Sequence, residues 1–142
     1  MIRAERYHDI SCGHRVVGHE GKCQNLHGHN YRFFFEIESD SETPLDQVGR
    51  VLDFSVIKSL LCAWLEERWD HKMLIWDQDP MLSALLEIDK TICVVPFNPT
   101  AENLAWFLVE MVGPLLLENT GTKLVRCKVE ETRKCSAIYE AT

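Results

Sequence analysis

The sequence predicts an α+β domain. Three observations carry this: apolar side chains alternate in segments near both ends of the chain, they recur every three or four positions in two stretches between, and the elements run strand, strand, helix, helix, strand, strand. With 142 residues, 46% of them hydrophobic, the chain is long enough for one domain with a real core and too short for two ordinary ones. Residues 1–142 are expected to form that one domain.

The segment 2–10 alternates loosely and reads as the first strand. Over 31–38, Tyr31, Phe33, Phe35 and Ile37 occupy one side and Arg32, Glu36 and Glu38 the other, with Phe34 alone breaking the period of a half-buried strand. Between 53 and 69, Phe54, Ile57, Leu61, Trp64 and Leu65 mark an amphipathic helix with Asp53 as its N-cap. A second helix starts at Thr100, a capping residue, with Glu102 favourable to the helix dipole and Leu104, Phe107, Leu108 and Met111 as its buried face. Gly113 and Pro114 are expected to bend or end it. Segments 124–131 and 135–140 read as two closing strands, and 91–97 is a short apolar piece between the helices.

The formal net charge of −7, with no cluster of Lys and Arg, argues against nucleic acid and anionic membranes as partners. No window approaches the roughly 18 to 20 apolar residues of a membrane span, and the opening MIRAERYHD lacks the basic-then-apolar pattern of a signal peptide. The expectation is a cytoplasmic protein in which Cys12, Cys23, Cys62, Cys93, Cys127 and Cys135 stay reduced.

The densest chemical signal is LHGHNY at 26–31. His27 and His29 sit two apart where a strand begins, so both imidazoles point the same way and can reach one ion; the bland reading is a turn with solvated rings. If the first two strands pair, His14 supplies a third nitrogen, and three protein ligands leave one position open on a tetrahedral zinc. Cys23 lies four residues before His27 beside Lys22. A nearby cation lowers a thiol from its usual value of about 8.5 and makes thiolate available as base or nucleophile. Its alternatives are a fourth zinc ligand or a small buried hydrophobe. Asp70 and His71 suit a proton shuttle, although a helix C-terminus attracts His and Lys through its dipole alone. His8 and His19 have no such company and read as structural or solvated. Glu131 shares the inward face of Val125, Cys127 and Val129, so it needs a partner: a ligand with two N–H donors, a salt bridge to Arg133 or Lys134, or water at a frayed strand end.

In order along the chain, S-C-G-H-R ending next to His14, G-K-C-Q-N-L-H-G-H-N-Y at 21–31, V-L-D-F at 51–54, W-D-H-K-M-L at 69–74, N-P-T-A-E-N-L at 98–104 and V-E-E-T at 129–132 resemble the motifs of the 6-pyruvoyl-tetrahydropterin synthase and 6-carboxy-tetrahydropterin synthase family. The resemblance spans nearly the whole chain. It implies the tunnelling fold, a four-stranded antiparallel sheet with two helices on one face, three subunits closing a barrel and two trimers forming a homohexamer with sites between subunits. It implies His14, His27 and His29 as zinc ligands, Cys23, Asp70 and His71 for proton transfer, and Glu131 as pterin anchor completing the catalytic set. It further implies Thr100 and Glu102 as substrate contacts. A triphosphate needs local positive charge on this acidic chain, and Arg15, Lys22 and Lys72, each within a motif, are the candidates for it.

The implied reaction converts 7,8-dihydroneopterin triphosphate to 6-carboxy-5,6,7,8-tetrahydropterin, acetaldehyde and triphosphate, as in bacterial members that serve deazaguanine and queuosine synthesis. Elimination of triphosphate without side-chain cleavage, giving 6-pyruvoyl-tetrahydropterin, is the alternative reaction. A protein-binding module with a closed structural zinc site is the non-enzymatic one. Two departures from the family stand out: Ile10, Ser11, Cys12 and Gly13 replace the usual aromatic and Ala-Ala before His14, and 75–97 is longer than in the shortest bacterial members, implying an added loop and strand.

Overall fold

The computed structural model describes residues 1–142. Its strands are β1 (Ala4–His14), β2 (His27–Ser39), β3 (Met73–Trp76), β4 (Cys93–Val95), β5 (Thr122–Glu130) and β6 (Ser136–Glu140). β2 lies deep in the sheet because Tyr31, Phe33, Phe35 and Ile37 are each at most 1% exposed. Each such burial contributes about 1.5–3 kcal/mol. A slip of one residue would turn all four to the other face, so the apolar pattern fixes the register. Phe34, on the other face, is not wasted: it packs on Tyr7 with ring centroids 5.6 Å apart and lies under the Lys128 ammonium at 4.2 Å.

The sheet order is β4-β3-β1-β2-β5-β6. The four antiparallel strands read from sequence are therefore present as β1-β2-β5-β6, but the sheet has six strands, not four. The reason is the length of β1. It continues past the alternating region to His14, where Gly13 and His14 pair in parallel with Met73 and Leu74, and β3 in turn recruits β4.

The helices are α1 over 54–68, α2 (Leu82–Ile88) and α3 over 101–116. Both caps are as read: Asp53 accepts from the Ser55 amide and Thr100 from the Asn103 amide. α1 and α3 each contain a five-residue π-helical turn, at Lys58–Cys62 and Leu108–Val112. A π-turn takes up an additional residue relative to an α-turn, which rotates the buried face of α3. Val109 and Val112 pack inward while Met111, expected in the core, is 51% exposed. Phe54 at the start of α1 is likewise 57% exposed. Gly113 and Pro114 do not end α3, since the helix continues to Leu116 with Pro114 in the first turn of its last α-helical segment. The stretch 75–97 adds a helix, α2, as well as a strand. A core of 24 buried residues joins the helices to the inward face of the sheet, with Trp69 stacked on Phe107 at 6.2 Å.

Candidate metal centre

The extended ends of β1 and β2 build the site. His14 and His27 are directly opposite in register, as are Cys12 and His29, so alternation sends all three imidazoles to the inward face beyond the aromatic core. Their ligating atoms all lie within 4.8 Å of one another. Hydrogen bonds set the tautomers. His14 Nδ1 donates to the Pro99 carbonyl at 2.6 Å and His27 Nδ1 donates to the Asn25 carbonyl at 2.7 Å. Each Nε2 is thereby left as an acceptor, and the two face one another at 3.0 Å. Two lone pairs at that separation repel unless a cation or an additional proton lies between them. His29 Nε2 is buried with no hydrogen-bond partner, a costly state for a polar atom. Three imidazoles oriented from behind and converging on one point fit a metal ion such as Zn2+. Burial holds both His14 and His29 below the ordinary histidine value, against the pull of Glu131 and, for His14, the Pro99 hydrogen bond. Neutral imidazole is the form that ligates.

Glu131 lies just beyond β5, with its amide bonded to the Cys135 carbonyl. Its carboxylate makes neither of the salt bridges considered from sequence. One oxygen lies 3.4 Å from His29 Nε2 and the other 3.9 Å from His14 Nε2. Cys23 sits half-buried in a short 3-10 turn (Lys22–Gln24), and the metal-holding group comprises the three imidazoles without it. The other thiols are free as well. Burial pushes Cys12 up to about 12 and Cys127 higher still, leaving both protonated.

The Asp70–His71 pair stands at the edge of β1. Asp70 accepts from the Ser11 amide at 3.0 Å, the His71 amide donates to the Ser11 carbonyl at 2.6 Å, and His71 Nδ1 is 2.9 Å from Asp70 Oδ2. Burial tends to raise Asp70, but the Ser11 and His71 hydrogen bonds outweigh it and hold the carboxyl below its usual value. His71 adopts the left-handed region at φ 60, which costs about 1–2 kcal/mol for a residue with a Cβ, and its side chain is 80% exposed. Within the chain this pair makes no hydrogen bond or ion pair with the imidazoles, Cys23 or Glu131. A cleft of about 450 Å³ runs past it along the strand ends, lined by Ser11, His27, His29, Asn30, His71 and Lys72.

The remaining candidates separate. Thr100 is occupied as the α3 cap, and Glu102 is exposed in the first turn. Arg15 is not a free cation: its guanidinium grips buried Asp79 at 2.7 and 3.0 Å and donates to the Gln24 carbonyl at 2.8 Å. Lys22 is exposed and Lys72 half-buried, both without an ion-pair partner. His8 pairs with Glu66 at 2.6 Å and His19 accepts from the Gly21 amide at 2.8 Å, both outside the site. Sequence reasoning missed Pro99 and Asn25, because they act through backbone carbonyls that no side-chain pattern reveals.

This arrangement defines a class: an α+β protein whose longest strand pair carries a three-imidazole centre able to hold a metal ion. Residues 3–142 match the family model of 6-pyruvoyl tetrahydropterin synthase. The 6-carboxy-5,6,7,8-tetrahydropterin synthase of Rickettsia bellii is 34% identical over 137 residues, 95% of this chain and 97% of its own. A probable 6-carboxy-5,6,7,8-tetrahydropterin synthase of Halobacterium salinarum is 33% identical over 130 residues, 90% of this chain and 79% of its own. Among solved structures, an uncharacterised protein of Wolinella succinogenes superposes with a TM-score of 0.84 at 22% identity, covering 99% of this chain and 98% of that one. The 6-pyruvoyl tetrahydropterin synthase of Caenorhabditis elegans superposes with a TM-score of 0.70 at 25% identity, covering 99% and 96%. The chain belongs to the 6-pyruvoyl tetrahydropterin synthase family, a family of enzymes that make tetrahydropterins.

Proposed function

We propose that this chain, acting as one domain over residues 1–142, is a zinc-dependent 6-carboxy-5,6,7,8-tetrahydropterin synthase. Its substrate is 7,8-dihydroneopterin triphosphate, which with water gives 6-carboxy-5,6,7,8-tetrahydropterin, acetaldehyde and triphosphate for deazaguanine and queuosine synthesis. The name borne by the relatives that align over almost the full chain supports this product. The observation that carries the metal dependence is the convergence of His14, His27 and His29, with two Nε2 acceptors face to face and the third orphaned. No helix is long and apolar enough to cross a membrane, and a cytoplasmic homohexamer remains the reading for location and assembly.

Zn2+ held by the three imidazoles supplies Lewis acidity toward hydroxyl and carbonyl oxygens of the substrate side chain. Cys23 takes the proton from the adjacent carbon as thiolate. Asp70 fixes the ring of His71 by accepting from Nδ1, leaving Nε2 to exchange protons with the substrate. Glu131 accepts two N–H groups of the pterin ring, Thr100 and Glu102 flank it at the start of α3, and Lys22 and Lys72 meet the triphosphate. With Arg15 neutralised by Asp79, these two lysines carry the local positive charge.

The test is product identification after incubation of the zinc-loaded protein with 7,8-dihydroneopterin triphosphate. Mass spectrometry should find the 6-carboxy pterin, and a coupled assay stoichiometric acetaldehyde. A pterin retaining its three-carbon side chain, without acetaldehyde, would assign the 6-pyruvoyl reaction instead.

A further inference from the structure

We infer that Arg15 is a positioning residue for Cys23: anchored on Asp79 in the 75–97 stretch, its guanidinium fixes the turn that carries the thiol relative to the imidazole centre. This rests on the reading of Cys23 as the proton acceptor. Residues 15–26 link β1 to β2, so the loop leaves one imidazole, His14, and returns to another, His27. Near its start, Asn98 pins Val17 from both sides, accepting from its amide and donating to its carbonyl, each at 3.0 Å. The turn Lys22–Gln24 lies further along, and two hydrogen bonds reach it from outside. The Val16 amide donates to the Cys23 carbonyl at 2.8 Å, and Arg15 Nη1 donates to the Gln24 carbonyl at 2.8 Å. Its other backbone bonds, from Gln24 to Gly21 and from Asn25 to Lys22, are internal to the loop.

Arg15 spans two segments. Nε and Nη2 grip the two oxygens of Asp79 at 2.7 and 3.0 Å, while Nη1 is the donor to Gln24. Asp79 cannot follow a moving arginine. Its side chain is fully buried, one oxygen also accepts from the Met81 amide at 2.8 Å, and its own amide donates to the Trp76 carbonyl at 3.0 Å. A planar fork gripped along one edge presents its remaining N–H in a fixed direction. Without that bond the turn keeps a single tie to the rest of the chain, and a reacting group displaced by about 1 Å loses about 100-fold in rate. The imidazoles do not depend on Arg15 in this way, because His14 is held by the sheet and by the Pro99 carbonyl.

The test uses the full-length, zinc-loaded protein and Arg15→Lys, because Arg15→Met strands the Asp79 charge and endangers the fold. An ammonium keeps a cation on Asp79 but has one nitrogen, and no fork with which to reach Gln24 as well. Hydrogen exchange over 22–25, read by mass spectrometry, should quicken at least about fivefold in Arg15→Lys. Exchange in α1 and α3 and the zinc content should stay as in the wild type. With 7,8-dihydroneopterin triphosphate, kcat should fall roughly 10- to 100-fold while KM stays within about twofold. Wild-type exchange over 22–25 with wild-type kcat would overturn the proposal. Faster exchange throughout α1 and α3 would overturn it too, making Arg15 a general stabiliser. So would faster exchange confined to 22–25 with kcat unchanged, since the tether would then not govern the thiol. If the wild type itself makes no product, the reading of the reaction fails, and local exchange alone then upholds or overturns Arg15 as the tether of the turn.

Discussion

At the scale of single residues, the division between metal ligand and proton carrier is open to direct test. His29→Ala should lose zinc by elemental analysis, because it removes one of three converging nitrogens, whereas Cys23→Ala should keep it and lose turnover. Zinc loss in Cys23→Ala would return the thiol to the ligand set. Arg15 makes a different prediction. Asp79 has a fully buried side chain; burial tends to raise its pKa, but the Arg15 and Met81 hydrogen bonds outweigh this and hold it below the usual carboxylate value. A depressed folded value means stability that is present above the unfolded value, about pH 4, and lost as pH falls through the folded one. Arg15→Met strands that charge and should cost about 3–5 kcal/mol at pH 7 by urea unfolding. The deficit should shrink as pH falls, because burial without Arg15 raises the Asp79 carboxyl in the variant and it takes up a proton sooner than in the wild type. A deficit independent of pH would show that the pair does not carry the effect. The convergence of His27 and His29 was legible because spacing two apart in a strand dictates a shared face, and that of His14 because its strand pairs with theirs. The Arg15–Asp79 pair was not legible, because its two members lie 64 positions apart in sequence, beyond any local pattern.

At the scale of elements, the caps Asp53 and Thr100 and the inward face of β2 could be read because they depend on neighbours in sequence. A strand within 75–97 was expected and β4 is there, but the π-turns, β3 and the parallel pairing of β3 and β4 were not read. A π-turn is selected by packing, and strands of four and three residues are too short to show a period. The junction of β1 with β3 explains why glycine precedes His14. A Cβ at Gly13 would lie 2.6 Å from Met73 Cε and 2.9 Å from the His27 carbonyl oxygen. The methionine can move, but the carbonyl belongs to the backbone that positions the His27 imidazole. Gly13→Ala should therefore cost about 1–3 kcal/mol in thermal unfolding and weaken zinc binding as well. Unchanged zinc affinity in a destabilised variant would mean that β2 does not yield and Met73 absorbs the whole clash.

At the scale of the whole molecule, the placement of the Asp70–His71 pair bears on how subunits come together. The pair is held against the backbone of Ser11, makes no hydrogen bond or ion pair with the imidazoles, Cys23 or Glu131, and presents a side chain that is 80% exposed. A proton carrier so placed suits a site shared between chains, with the pair of one subunit serving the centre of the next, as the proposed homohexamer requires. Complementation tests this. Cys23→Ala and His71→Ala should each be inactive as pure assemblies. When the two are mixed equally, unfolded and reassembled, a shared site draws its thiol from one chain and its histidine from another. With random assembly about one site in four then receives both intact groups, so roughly a quarter of wild-type activity should return. If each site were built within one chain, every site would lack one group and no activity would return, whatever the mixing ratio.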